Sequence, residues 1–163
     1  MKEKYSEHPF GDTGQVILLC LFMVIWGGDS FLMRESTFLS EIVPLYTRLI
    51  FLIVALATSF YLVKSGHIAV GPDDGSAGVM YQGAFRYVRH PLYLGSLLFY
   101  LGLAVSSASL ISLVIFLAAF VFYDYIAGYE EYFMEEKFGG IYRDYKENTG
   151  KWVPKLGSNE YCR

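Results

Sequence analysis

Long apolar runs broken by short polar stretches set the plan of this chain. Residues 15–33 are almost continuously apolar and long enough for a helix to span a bilayer. Gly27 and Gly28 interrupt that run near its end, and Asp29 follows them. A second run, 45–63, is entered after Pro44 and carries Arg48. Residues 92–105 and 110–126 are apolar again, with a turn at 106–109 between them. Each of these arms is short for a full span, so they read as two tilted helices or a re-entrant hairpin. Either version returns the chain to the side it came from. From Gly128 the pattern turns charged and aromatic but keeps helical spacing to Phe138, where Gly139 and Gly140 end or kink it. These patterns predict an all-α integral membrane protein of about four transmembrane helices. The last two form a short helical hairpin, and a C-terminal helix follows beyond the membrane. Residues 1–163 read as one membrane domain, with an N-terminal two-helix part at 1–63 and a second part at 64–163.

Two charges fall inside the apolar runs. If 34–44 joins antiparallel helices, Asp29 and Arg48 share a depth, and pairing is how membranes tolerate such residues. We read them as a structural ion pair. Residues 64–81 form a polar, glycine-rich link with turn chemistry at Gly71-Pro72 and Asp74-Gly75. The link is long for a helix–helix connection, which favours a binding loop. His67 within it reads as solvated.

Composition narrows the function classes. The net charge is only -3, so there is no basic field for nucleic acid. Cys20 lies in an apolar run and Cys162 is penultimate. The pair gives neither a disulfide framework nor a zinc-ligand spacing, and no metal is expected. Residues 1–14 are polar and do not resemble a signal peptide. With the N-tail, link and C-tail on one side, that side holds eleven lysines and arginines, and the other has only Arg34 and Arg48. This bias places both termini and the link in the cytoplasm.

The candidate chemistry sits at 83–95, G-A-F-R-Y-V-R-H-P-L-Y-L-G. Pro91 suits the first turn of a helix, with His90 as its cap. A helix start offers free N–H groups and a partial positive charge to a carboxylate or phosphate. Glu130 shares a face with Tyr123, Ile126, Ala127, Phe133 and Met134, an acid among apolar neighbours. The run Glu135-Glu136-Lys137 reads as a solvated face, and Tyr142, Tyr145 and Trp152 as an interfacial segment. The topology lets His90 and Glu130 close on one ligand from two sides. S-adenosylmethionine carries the matching groups: carboxylate, ammonium, ribose, base and sulfonium. A nucleotide also fits, although no G-x-x-x-x-G-K-[ST] loop is present.

Two blocks carry a family resemblance. Residues 79–95, V-M-Y-Q-G-A-F-R-Y-V-R-H-P-L-Y-L-G, resemble the signature of the isoprenylcysteine carboxyl methyltransferase family of membrane enzymes. So does E-E-Y-F-M-E-E-K-F-G-G-I-Y-R-D-Y, followed by W-V-P-K. The resemblance covers about the C-terminal half and implies that 64–163 is a cofactor-binding methyltransferase core. It implies S-adenosylmethionine as cofactor, with contacts at Ala77, Gly78, Val79, Met80, Phe85, His90, Pro91, Leu92, Tyr93 and Glu130. Phe85 stands where a tyrosine is common. The prenylcysteine enzymes carry an arginine one helical turn before the acid aligned with Glu130, taken to hold the substrate carboxylate. Here that position is Ile126, which cannot supply a charge-assisted bond. Arg86 is the conceivable substitute. The expected activity is methyl transfer to a lipophilic, membrane-dissolved acceptor. The alternatives are a phospholipid or lipid-amine N-methyltransferase, and a non-catalytic membrane protein that keeps the fold. No residue is identified as a general base.

Overall fold

The structure, a computed structural model, describes residues 11–70 and 81–155. Five α-helices follow one another: α1 (Gly11–Gly27), α2 (Leu45–Val70), α3 (Pro91–Ser107), α4 (Leu110–Phe138) and α5 (Gly140–Asn148). The segment Thr13–Met33, α2 and α4 are each long and apolar enough to cross a membrane, and α3 is a shorter apolar helix. No strand forms among the described residues. The chain is an all-α membrane protein.

The glycine pair after α1 does not break the first span. The helix widens into a π-helical turn, Gly28–Met33, which Arg34 closes in the left-handed region at φ 56°. The second helix also outruns its expected end. It continues through 64–70, which the composition assigned to the link. Gly66, read there as part of the polar link, is a packing residue: a Cβ on it would meet the Leu92 side chain at 2.8 Å. His67 is exposed as expected, but on the last turn of this helix.

The closest helix contact is between α2 and α3. Ala55, Ser59, Leu62, Gly66 and Ala69 form the buried stripe of α2. Opposite them, a Cβ on Gly95 would come 2.7 Å from Val63 and one on Gly102 would come 3.0 Å from Ala55. Small residues let the two backbones approach, which is how helices gain packing energy where the hydrophobic effect offers none. The Ser59 hydroxyl then donates to the Gly95 carbonyl at 2.7 Å. A second cluster, Phe22, Leu97, Tyr100, Ala104, Ala119 and Tyr123, joins α1, α3 and α4.

At the far end of the bundle, Asp29 and Arg48 do not pair, contrary to the expectation from their shared depth. Asp29 accepts from the Ser36 N–H at 3.1 Å, the Ser36 hydroxyl at 2.5 Å and the Ser109 hydroxyl at 2.5 Å. Arg48 donates to the carbonyls of Val43, Ser106 and Ser40. The reason lies in the α3–α4 hairpin tip. Ala108 adopts the left-handed region there and Ser109 caps α4. The tip presents the negative end of α3 to the guanidinium and the positive start of α4 to the carboxylate. Each charge meets a helix pole instead of the other charge.

At the near end, α4 is longer than an upright span needs. Its 29 residues make a rod of about 43 Å at 1.5 Å per residue, against a hydrocarbon core of about 30 Å. Its last third carries Glu130, Glu131 and Glu135. Gly139, at φ 55°, turns the chain back into α5. Tyr142 and Tyr145 are buried there against Met134 and Phe138. Burial pushes both phenols above their ordinary range, so they stay neutral.

Candidate functional site

The chain after α5 returns to the start of α3. Val88 and Gly150 form an isolated parallel bridge, and the Arg89 N–H donates to the Gly150 carbonyl at 2.9 Å. The Arg89 guanidinium donates to the carbonyls of Lys146 at 2.9 Å and Thr149 at 3.1 Å. Its Nε meets Glu131 Oε1 at 3.0 Å. Arg89 thereby ties α3, α4 and the end of α5 together at one end of the bundle.

His90 occupies the cap position of α3 and Pro91 its first turn, as the sequence predicts. Yet no side chain caps this helix. The imidazole turns toward α4, where Nε2 lies 3.2 Å from Glu131 Oε1 and Nδ1 lies 3.7 Å from Glu130 Oε2. Its ring stacks parallel to Tyr93 at 5.6 Å and packs 6.0 Å from Trp152. The Tyr93 hydroxyl donates to Glu130. His90, Tyr93 and Glu130 are therefore brought together.

Glu130 and Glu131 differ in surroundings. The Glu130 side chain is 33% exposed, while Glu131 is 8% exposed. Glu131 faces three cationic or protonatable groups: Arg89, His90, and Lys146 at 3.6 Å. A buried carboxylate so surrounded holds its neighbours in place, and Glu130 is the more exposed of the two acids. Sequence reasoning passed over Glu131, Lys146 and the positioning role of Arg89. The doubled acid, E-E, was the available signal. Helical spacing alone puts Glu131 about 100° from Glu130, toward partners that only the start of α3 and α5 supply.

Other predicted residues sit differently. Pro91 and Leu92 face Gly66 of α2, so what they offer a ligand on the α4 side comes from backbone. Phe85 lies on a 3₁₀ turn, Gly83–Arg86, and its carbonyl accepts from Tyr145 at 2.7 Å. Arg86 ends the same turn and is exposed. Ile126 is 1% exposed, one turn before Glu130 and beside Ala127. Ala77, Gly78, Val79 and Met80 lie outside the described residues. Trp152 donates to Asp124 at 2.9 Å, which also accepts from Lys151 at 2.5 Å, fixing the indole beside His90. Glu135 is not merely solvated, since it takes Arg143 at 2.8 Å and Lys146 at 3.3 Å. Among the described residues no group of His, Cys, Asp and Glu is placed to hold a metal.

Comparison with known proteins gives two findings. The profile of the phospholipid methyltransferase family matches residues 46–140. Protein-S-isoprenylcysteine O-methyltransferase A of Arabidopsis thaliana is 35% identical over 78 residues, 47% of this chain. That match spans 40% of the relative's own length. No solved structure matches the chain.

Proposed function

This chain belongs to the phospholipid methyltransferase family, and we propose that it transfers a methyl group from S-adenosylmethionine to a lipophilic acceptor dissolved in the membrane. The observation that carries the proposal is the convergence of His90, Tyr93 and the partly open Glu130 at the uncapped start of α3. When bound, S-adenosylmethionine supplies an electrophilic methyl group whose bond to sulfur breaks as the bond to the acceptor forms, leaving S-adenosylhomocysteine.

The residues present fit that donor. The first turn of α3 lacks a side-chain cap and offers its N–H groups and positive pole to a carboxylate. Glu130 is an acceptor for an ammonium or for ribose hydroxyls, and Tyr93 orients it. The faces of Tyr93 and Trp152 suit a base or an onium centre. Arg89 and Glu131 hold these groups in register, and alignment of two reactants supplies much of the barrier reduction in such a transfer. We assign Ala77, Gly78, Val79, Met80 and Phe85 to the same site. The donor then reaches it from the cytoplasm, where the charge bias puts both termini.

The acceptor is the open choice, and Ile126 bears on it. One turn before Glu130 there is no cation for a substrate carboxylate. Arg89 is committed to Glu131 and two carbonyls. We therefore expect poor turnover of N-acetyl farnesylcysteine, and Arg86 is the remaining candidate for a carboxylate. A lipid amine is the second reading, favoured by the same apolar Ile126 and by the family's name. The test is tritiated-methyl transfer by purified protein in lipid nanodiscs, with N-acetyl farnesylcysteine and phosphatidylethanolamine as separate acceptors. Label in the organic phase that S-adenosylhomocysteine suppresses is the expected result. Efficient prenylcysteine turnover would show that the arginine is dispensable. Cofactor binding without transfer to any membrane lipid would leave a non-catalytic protein that keeps the fold.

A further inference from the structure

A cleft of about 390 Å³ opens among α1, α2, α3 and α4. Its walls are Val16 and Leu19 of α1, Val63 of α2 and Phe99 of α3. Val16 and Leu19 are exposed on the outer surface of the bundle, so the cleft opens toward lipid. Gln15, Ser59, Ser96, Tyr100 and Tyr123 also line it. The Tyr123 hydroxyl faces those of Tyr100 and Ser96. Ser96 lies six residues along α3 from His90, about 9 Å deeper. One aromatic pair separates the cleft from the candidate site, for the Tyr123 ring packs 5.2 Å from Tyr93, which donates to Glu130.

We propose that this cleft seats the methyl acceptor, a single-chain amphiphile with an uncharged hydrogen-bonding group behind its reacting head. This rests on the methyl-transfer reading. The chain of the amphiphile lies along Val16, Leu19, Val63 and Phe99. Its neutral polar group meets the Ser96–Tyr100–Tyr123 hydroxyls, each of which keeps acceptor capacity beyond its own bond. The reacting head passes Tyr123 toward Tyr93 and Glu130. Two observations select this occupant. No charged side chain lines the cleft, and an unpaired charge is costly to bury. The volume lies at the small end of the range of about 300–1,000 Å³ typical of ligand pockets, which favours one chain over two.

The test uses a diazirine-bearing hexadecanol and a matched diazirine alkane, cross-linked to the full-length protein in nanodiscs and mapped by mass spectrometry. The alcohol should label peptides containing residues 15–19, 59–63 and 96–100. Val63→Trp, which fills the cleft, should cut that labelling about tenfold with S-adenosylhomocysteine binding unchanged. Val63 touches the tight α2–α3 contact, so Leu19→Trp at the open lip gives an independent block. Tyr123→Phe should reduce labelling by the alcohol and leave labelling by the alkane. Uniform labelling of lipid-facing α2, or labelling unaffected by both tryptophans, overturns the proposal. Equal loss of both probes in Tyr123→Phe overturns its polar part. If the wild-type protein fails to bind S-adenosylhomocysteine while the cleft labels as expected, the methyl-transfer reading fails and the cleft stands.

Discussion

Glu130 and Glu131 are neighbours on α4 with different surroundings, and the difference assigns their roles. Glu131 holds Arg89, His90 and Lys146 together. Removing a buried partner leaves uncompensated charge, so Glu131→Ala should destabilise the detergent-solubilised protein by about 3–5 kcal/mol, read as a lowered thermal midpoint. Glu130→Gln should leave the midpoint near wild type, because its carboxylate is partly solvated. The reverse order of stabilities would mean that the two roles are exchanged. Ile126→Arg should raise turnover of N-acetyl farnesylcysteine, measured as tritiated methyl ester. No gain in a variant that stays folded would place the acceptor's head elsewhere. At this scale the sequence showed His90, Tyr93 and Glu130 through motif and spacing. Glu131 escaped because its partners come from Arg89 and from α5, and no local pattern links them.

Helix ends explain most of what the pattern of apolar residues did not show. Apolar periodicity located four hydrophobic helices and the α3–α4 hairpin. It stopped α2 too early because Gly66 looks like a breaker until Leu92 is packed on it. It also paired Asp29 with Arg48, since hydropathy does not display the poles of a hairpin tip. The structure gives them separate partners, so their double-mutant coupling should stay within about 0.5 kcal/mol. Denaturation of Asp29→Asn, Arg48→Met and the double variant checks this, and a coupling several times larger would restore the ion pair. The tightness of the α2–α3 contact has its own consequence. Gly95→Leu should cost about 1–3 kcal/mol or more by overpacking, because Val63 and the Ser59 carbonyl stand 2.7 and 3.1 Å from where a Cβ would be. A neutral result in a melting experiment would show that the two helices separate freely.

The whole molecule is a bundle with two unlike ends. One end is fastened by Asp29, Arg48 and Trp26, whose indole donates to Leu103 and Ser107. The other gathers the start of α3, the end of α4, α5 and the returning chain. Charge counting predicts that the second end is cytoplasmic. Cysteine labelling in a background lacking Cys20 and Cys162 should find Glu147→Cys accessible from the cytoplasm and Glu35→Cys from outside. Both positions are exposed, and labelling from one face alone would contradict the topology. The central claim is that the gathered end binds a methyl donor, and isothermal titration of the solubilised protein with S-adenosylmethionine and S-adenosylhomocysteine tests it most directly. Wild type should bind both saturably. Glu130→Gln and His90→Ala should bind about 1–3 kcal/mol more weakly, the worth of a hydrogen bond to a charged group. Wild-type affinity in both variants, or no binding by the wild type itself, would contradict it.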